Sequence, residues 1–412
     1  MLVVTQYFPP EIGAPQARLS SLARSWTADG VDVTVLTGMP NHPTGVIPPQ
    51  YSRKVVCRER VDGYRVLRTW LYATPNEGFL RKTASHLSFM VSSLLFGCFL
   101  VGRQDVIVVS SPTFFSIFSA WILARTRRTR FVIEIRDLWP AIFVELGVLK
   151  NSWIISMLEW AELRAYRAAD AVVVVSEGFR ENLVARGVPA DKVTTIRNGV
   201  DLDEFATIDA APSAEMRGRL GAQPDSTLVL YVGAHGISHG LRSVVDAAQR
   251  MPSNIQLSFV GDGAEKKALV QYARGLGVGN VAFLDSVPHD RVPKLLAAAD
   301  ICLVPLRDVP LFTTFIPSKI FEYLGASKAV VGAVRGEPAT ILREAGAVVV
   351  EPEHPEQLAD AIRTLAGDPD QRSEMGKAGR RYVEEHFDRR VLAQRYLEVL
   401  SGVLRKAGRA GS

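Results

Sequence analysis

Two residues one helical turn apart, Lys319 and Glu322, stand in the stretch FTTFIPSKIFEYLGA, residues 312–326. A lysine near a helix start suits an anionic ligand, and a glutamate one turn on can accept two hydroxyl hydrogen bonds from a ribose. The same pair could satisfy itself as a solvated helical ion pair, with Ser318 as the expected cap. A second corner lies in STLVLYVGAHGISHGL, where Gly233, Gly236 and Gly240 free the backbone to wrap a phosphate and His235 and His239 add imidazoles. Glycine-rich turns are common in α/β folds, so a purely structural turn is the other reading. Gly261 and Gly263 repeat the pattern after the next apolar run, and Gly13 marks a similar corner in PPEIGAPQ, where an ordinary proline-flanked turn explains the residues as well. Arg136 and Asp137 end the apolar run RFVIEI; they fit either a site at a sheet's carboxyl edge or a helix cap with an exposed neighbour.

These corners need strands and helices to hold them. LVVTQYF, VDVTVLTG, DVIVVSS, RFVIEI and AVVVVS read as buried parallel strands, separated by helical patterns such as Ala17, Leu19, Leu22, Ala23 and Trp26. The grammar restarts at STLVLYV and runs through IQLSFV, VAFLDS, ICLVPL, KAVVGAV and AVVVEP, so both halves are expected to be doubly wound α/β domains. VTTIRNGVD closes the first half, and the small, polar residues 208–215 read as a linker. The expected boundaries are 1–207, 208–388 and a C-terminal helix, 389–412, that crosses back onto the first domain. The loop MPNHPTGVIPPQY is too irregular for either element, and its lone His42 reads as solvated.

A chain of 412 residues, 47% hydrophobic, exceeds one core and predicts two domains. A net charge of +5 favours anionic partners but is too small for nucleic acid. Three scattered cysteines support neither a disulfide framework nor a zinc site, so a reducing compartment is expected, and Met1–Thr5 reads as a strand rather than a cleavable signal. Residues 84–102 carry no Asp, Glu, Lys or Arg, and at about 1.5 Å per residue such a helix approaches the roughly 30 Å of a hydrocarbon core. The strand DVIVVSS follows at once and must rejoin the sheet, so a surface-docked or buried helix is expected instead of a span. A second apolar run, FFSIFSAWILA, ends in Arg125, Arg127, Arg128 and Arg130; together the two suggest a face resting on anionic lipid. GxGxxG is absent, which disfavours a dinucleotide oxidoreductase.

YFPPEIGAP, GMPNHPTG, IRDLWP, ELGVLKN, RNGVD, VGAHGISHGL, VGDGAEK, VPLRD and IPSKIFEYL, in this order, resemble the retaining family 4 glycosyltransferases of the GT-B fold, closest to the WbuB/WcaI-like group of polysaccharide assembly. The resemblance covers essentially the whole chain. It implies two Rossmann-like domains facing a central cleft, with a nucleotide-sugar donor, taken as UDP-linked, held by the second domain and a lipid-linked saccharide acceptor by the first. It further implies Glu322 on the donor ribose, Lys319 and His239 stabilising the leaving diphosphate, and Gly13, Gly233, His235 and Gly236 flanking it. Val287 with Gly261 and Gly263 would lie by the base, and Arg136 and Asp137 would stand near the sugar and acceptor. No metal or cofactor is implied, and the expected location is cytoplasmic, peripheral to the inner face of the plasma membrane.

Three departures from the family pattern bear on specificity. Thr314 falls where the first of two glutamates is usual, Ala234 and His239 where arginine and lysine are, and Arg136 where histidine is common. The lost carboxylate fits a deoxy or amino sugar, for instance an N-acetylated fucosamine-type donor. Two alternatives stay open: a non-catalytic nucleotide-sugar-binding protein, and a UDP-sugar epimerase of the same architecture, for which the sequence places no catalytic acids.

Overall fold

The computed structural model describes the chain apart from residues 12, 43, 76–78, 112–113, 146, 148, 206–213 and 411–412, and apart from the side chains of 79, 142–143 and 407–410. Most of the expected linker, 208–215, lies outside the described residues. The chain forms two compact units, Met1–Arg197 with Arg390–Ser412, and Asn198–Arg389.

The first unit is built on eight strands: β1 (Leu2–Val4), β2 (Thr34–Gly38), β3 (Val56–Val61), β4 (Tyr64–Thr69), β5 (Val106–Ser110), β6 (Arg130–Ile135), β7 (Ala171–Val174) and β8 (Val193–Thr195). They pair in the order β3-β4-β2-β1-β5-β6-β7-β8, and every pairing is parallel except β3 with β4. That antiparallel edge hairpin goes beyond the sequence reading. It turns at Asp62 and Gly63, both left-handed with φ of 46° and 88°, and an Asp-Gly pair between alternating residues is the signal for such a turn.

The C-terminal helix Arg389–Ala410 buries Leu392, Ala393, Tyr396 and Leu400 in one core with Val3, Leu22 and Trp26 of this unit. Trp26 donates its indole N–H to the Ala393 carbonyl at 3.1 Å, which satisfies that buried donor, and meets Tyr396 edge-on at 5.1 Å.

The helix Phe79–Leu100 packs with its hydroxyls inward. Ser92 bonds Thr69 at 3.1 Å and Ser93 donates to Ser119 at 3.0 Å, while Leu87, Val91, Leu95 and Phe99 are exposed. Length and composition alone would let Leu80–Leu100 cross a membrane. The second apolar run differs from expectation. Its helix, Phe114–Arg127, buries Phe114, Ile117, Ala120 and Leu123 in the core, and Arg127 donates to the carbonyls of Cys98 and Gly102, capping the preceding helix. The helix with outward apolar side chains is instead Ser152–Ala168, where Trp153, Met157 and Trp160 are exposed.

The second unit has six strands, β9 (Thr227–Val232), β10 (Ile255–Val260), β11 (Val281–Leu284), β12 (Ile301–Pro305), β13 (Ala329–Ala333) and β14 (Val348–Val350), ordered β11-β10-β9-β12-β13-β14 and all parallel. Each sheet is thus doubly wound, with order reversing beside its first strand, where ligands bind in open α/β sheets.

Candidate active site

The short helix Lys319–Gly325 is held by its apolar residues. Ile320, Phe321, Tyr323 and Leu324 are buried, Phe321 packs on Phe387 at 4.6 Å, and Gly379 lets Leu324 approach the neighbouring helix closely. Ser318 stands at the cap position, but its side chain makes no cap bond; it lies 3.5 Å from Asn198 Nδ2. The expected capping therefore fails, because Ser318 already has helical φ and ψ, from which its hydroxyl is not turned toward the first-turn amides.

Lys319 and Glu322 do not form a solvated pair. The Lys319 side chain runs inward, its Nζ buried, without a hydrogen-bond partner among the described residues, and 3.6 Å above the Tyr231 ring. Burial pushes its pKa down to about 7, against the supporting field of Glu322. Gly233 gives it room, since a Cβ there would stand 2.9 Å from Nζ. Tyr231 is the centre the sequence reading missed. Its hydroxyl donates to the Ala234 carbonyl at 2.6 Å, and the rings of His235 and His239 both lie 5.9 Å from its own.

Two glycine turns interlock around this centre. A Cβ on Gly261 would strike the Gly233 carbonyl and one on Gly263 the His235 carbonyl, and both glycines have positive φ. The His235 amide donates to the Asp262 carbonyl at 2.9 Å, which ties the turns together. His235 is fully buried among Tyr231, Phe259 and Phe283, with neither ring nitrogen hydrogen-bonded among the described residues. Burial, then Lys266 and Lys319, push its pKa down to about 4. His239 falls to about 3, chiefly through burial and Lys319, although a hydrogen bond with the Pro305 backbone opposes the shift. Both imidazoles are neutral at pH 7, so the corner offers donors and one titrating ammonium instead of three fixed charges. Gly236 begins the short turn to His239, and Gly240, left-handed, starts the helix Leu241–Ala248.

Glu322 faces the other way along the same helix. His289 Nε2 lies 3.7 Å from Glu322 Oε1, and its Nδ1 lies 3.7 Å from Glu204 Oε2, separations of ion pairs and not of hydrogen bonds. The two carboxylates, Glu322 foremost, raise the His289 pKa, while burial and Arg389 oppose them. Val287 is half-buried in the segment that leads from β11 to His289. Arg307, which could supply a phosphate contact, lies 3.9 Å from Glu353. Thr314 bonds its own turn, donating to the Leu311 carbonyl at 3.0 Å.

Gly13, Arg136 and Asp137 belong to the first unit. Gly13 precedes the helix Ala14–Ala28 in extended backbone, with the Gln16 side-chain amide against the place of its missing Cβ. Arg136 is buried at the end of β6, and burial raises the Asp137 carboxyl against the field of Arg136. His42 is not solvated: its Nδ1 is sealed without a partner among the described residues, its ring lies 5.1 Å from Tyr7, and burial lowers its pKa to about 4. Glu11 places it there, accepting the backbone N–H groups of Asn41 and His42, both at 2.8 Å.

Residues 13–199 match the family described as Glycosyl transferase 4-like domain, and residues 212–382 match Glycosyl transferases group 1. The chain is 25% identical over 413 residues to a "Putative colanic acid biosynthesis glycosyl transferase WcaI" of Escherichia coli (strain K12), covering 98% of this chain and 100% of that one. It is 29% identical to a GDP-mannose-dependent alpha-(1-6)-phosphatidylinositol monomannoside mannosyltransferase of Mycolicibacterium smegmatis, covering 98% of both. Among solved structures, Anabaena Alr3699/HepE in complex with UDP and glucose has the same fold, with a TM-score of 0.73 at 20% identity over 97% of this chain and 98% of that one.

Proposed function

Since the chain belongs to the GT-B glycosyltransferases of family 4, we propose that it moves a sugar from a UDP-linked donor to a lipid-linked saccharide acceptor in cell-surface polysaccharide assembly, with retention. The observation that carries this reading is the buried Lys319 ammonium, clamped over Tyr231 beside two interlocked glycine turns and one helical turn from Glu322. A departing nucleoside diphosphate leaves charge on a phosphate oxygen, and an ammonium and loop amides aimed there lower the barrier. Glu322, braced by His289, accepts the ribose hydroxyls. In a retaining transfer the acceptor hydroxyl enters on the leaving group's face and its proton passes to the departing phosphate, so Arg136 and Asp137 orient sugar or acceptor and need not act as base. The similarity to a protein named for colanic acid biosynthesis supports polysaccharide as the product class, and the UDP and glucose bound to the Anabaena protein support the donor class.

The exposed apolar side chains of Phe79–Leu100 and of Ser152–Ala168 support peripheral attachment to an anionic membrane on the cytoplasmic side. High salt or alkaline carbonate should release the protein from membranes; retention after both treatments would contradict peripheral attachment.

A panel of nucleotide sugars, assayed for nucleoside diphosphate release with a lipid-linked acceptor, tests the reaction. Glu322→Ala should weaken donor binding by about 10- to 150-fold, the worth of a hydrogen bond to a charged group. Normal turnover by that variant would remove Glu322 from the site. Donor binding without transfer to any acceptor would favour a non-catalytic binding protein.

A further inference from the structure

In the second unit the register of β12 with β9 runs through Ile301–Val229 and Cys302–Leu230. At Val232, two residues further along the same edge of β9, a side chain takes the place of the strand. Tyr323 Oη accepts the Val232 N–H at 2.9 Å and donates to the Val232 carbonyl at 3.1 Å. Tyr323 is fully buried and stands one helical turn after Lys319, so these two bonds fix the helix Lys319–Gly325 in register with the end of β9.

That register sets Lys319 Nζ over the ring of Tyr231, the residue before Val232, 3.6 Å from its centroid. Tyr231 is itself fully buried, and its hydroxyl is engaged by the Ala234 carbonyl at 2.6 Å, inside the glycine turn. Burial raises the Tyr231 pKa well above the ordinary phenol value, so the ammonium meets a neutral ring face and not a phenolate. The titratable groups around the ammonium are Glu322 and Tyr323 on its own helix, Tyr231 on β9, and His235 and His239 on the turn that follows, with Lys266 and Asp262 acting on His235. Glu322 supports the ammonium through its field but stands toward His289, which leaves the ring as the group in contact that favours the charged form.

We infer that Tyr231 is a positioning residue for the transfer: its ring carries the Lys319 ammonium at the glycine turn until a diphosphate takes it over, and its hydroxyl holds the turn in place. The turn itself offers Ala234 and a neutral His239, so its unengaged ammonium arrives from the helix, and the residue that keeps it protonated decides over which pH range the corner receives an anion. The inference deepens the donor site proposed above and rests on it.

The test follows UDP affinity of the full-length protein by calorimetry from about pH 6 to about pH 9. Affinity should fall as pH rises through the value of about 7 that Lys319 has in the free protein. Tyr231→Leu, which removes the ring face, should move that fall to lower pH by about 0.4 to 1.5, the worth of a desolvated cation–π contact. Tyr231→Phe keeps the ring and loses the hydroxyl, so the fall should stay at the pH of the parent while affinity drops about two- to tenfold throughout, the net worth of one hydrogen bond. The UDP phosphate titrates alike in every case, so differences between the proteins read the enzyme. Should Tyr231→Leu fail to fold, trifluorophenylalanine at position 231 takes its place: it keeps the shape of phenylalanine, strips the ring of its negative face, and should move the fall to lower pH relative to Tyr231→Phe. A parent whose UDP affinity does not fall with rising pH, an unmoved fall in Tyr231→Leu, or an equal movement in Tyr231→Phe overturns the proposal, because a merely structural tyrosine would change affinity without moving its pH dependence. A ring-dependent movement in a protein that releases no nucleoside diphosphate from any donor would keep the role of Tyr231 and lose the transferase assignment; normal turnover with no such movement would do the reverse.

Discussion

Each unit opens on a strand, a glycine-bearing turn and a helix, yet the two corners have opposite electrostatic character. After β1 a carboxylate occupies the turn: Glu11, buried, accepts the amides of Phe8, Asn41 and His42. After β9 the turn keeps its polar side chains unspent: among the described residues, both ring nitrogens of the neutral His235 imidazole, one a donor and one an acceptor, His239 Nδ1 and Lys319 Nζ are buried and without hydrogen bonds. A corner whose amides already serve an internal anion is a structural knot, whereas one with unspent donors is prepared for an external anion. The same local grammar thus supports two roles, decided by whether the anion comes from the chain or from a ligand.

The sharpest way to break this comparison is Lys319→Ala. Nucleoside diphosphate release should fall by about 10²- to 10³-fold in kcat, as for loss of one preorganised charge-stabilising donor. Because the free ammonium titrates at about 7, UDP binding at pH 7.5 should draw protons into the parent and far fewer into this variant. Calorimetry in buffers of different ionisation enthalpy reads that uptake, and equal uptake would place the proton elsewhere.

Glu11→Ala addresses the other corner. It strands buried amide donors and should cost about 1–3 kcal/mol in urea unfolding, with UDP affinity unchanged. A loss of UDP affinity instead would mean that the first corner also serves the phosphates.

The smallest effect concerns His289. Its pKa is raised in the folded protein by Glu322 and Glu204, so the stabilisation is fully present below the ordinary histidine value and is lost as pH rises through the folded value. The urea midpoint of the parent should therefore decline slightly from pH 6 to pH 8 relative to His289→Gln. For a partly exposed cluster the difference should stay below about 1 kcal/mol. Identical slopes would show that the imidazole is not held as a cation between the two glutamates.

Much of this molecule was legible in the chain. Apolar runs of four to six residues can only be buried parallel strands when helical patterns separate them, and the restart of that pattern at STLVLYV divided the protein into two sheets. The hairpin of β3 and β4 was also written there, in Asp62-Gly63, but alternation beside a polar edge is a weak signal. The run FFSIFSAWILA misled, because hydrophobicity does not distinguish a face turned to the core from one turned outward; its serines and alanines fit under the sheet, while Trp153 and Trp160 on a less apolar helix remained outside.

Local residue types and spacings by themselves determined the two sheets, the glycine turns and the helix that carries Lys319 and Glu322, because each depends on residues a few positions apart. Only the tertiary structure decided that Lys319 Nζ rests on Tyr231, that His289 stands between Glu204 and Glu322, and that Glu11 turns His42 inward. Those contacts join residues brought together by strand register and helix packing, and burial at these contacts sets which groups hold a proton at neutral pH.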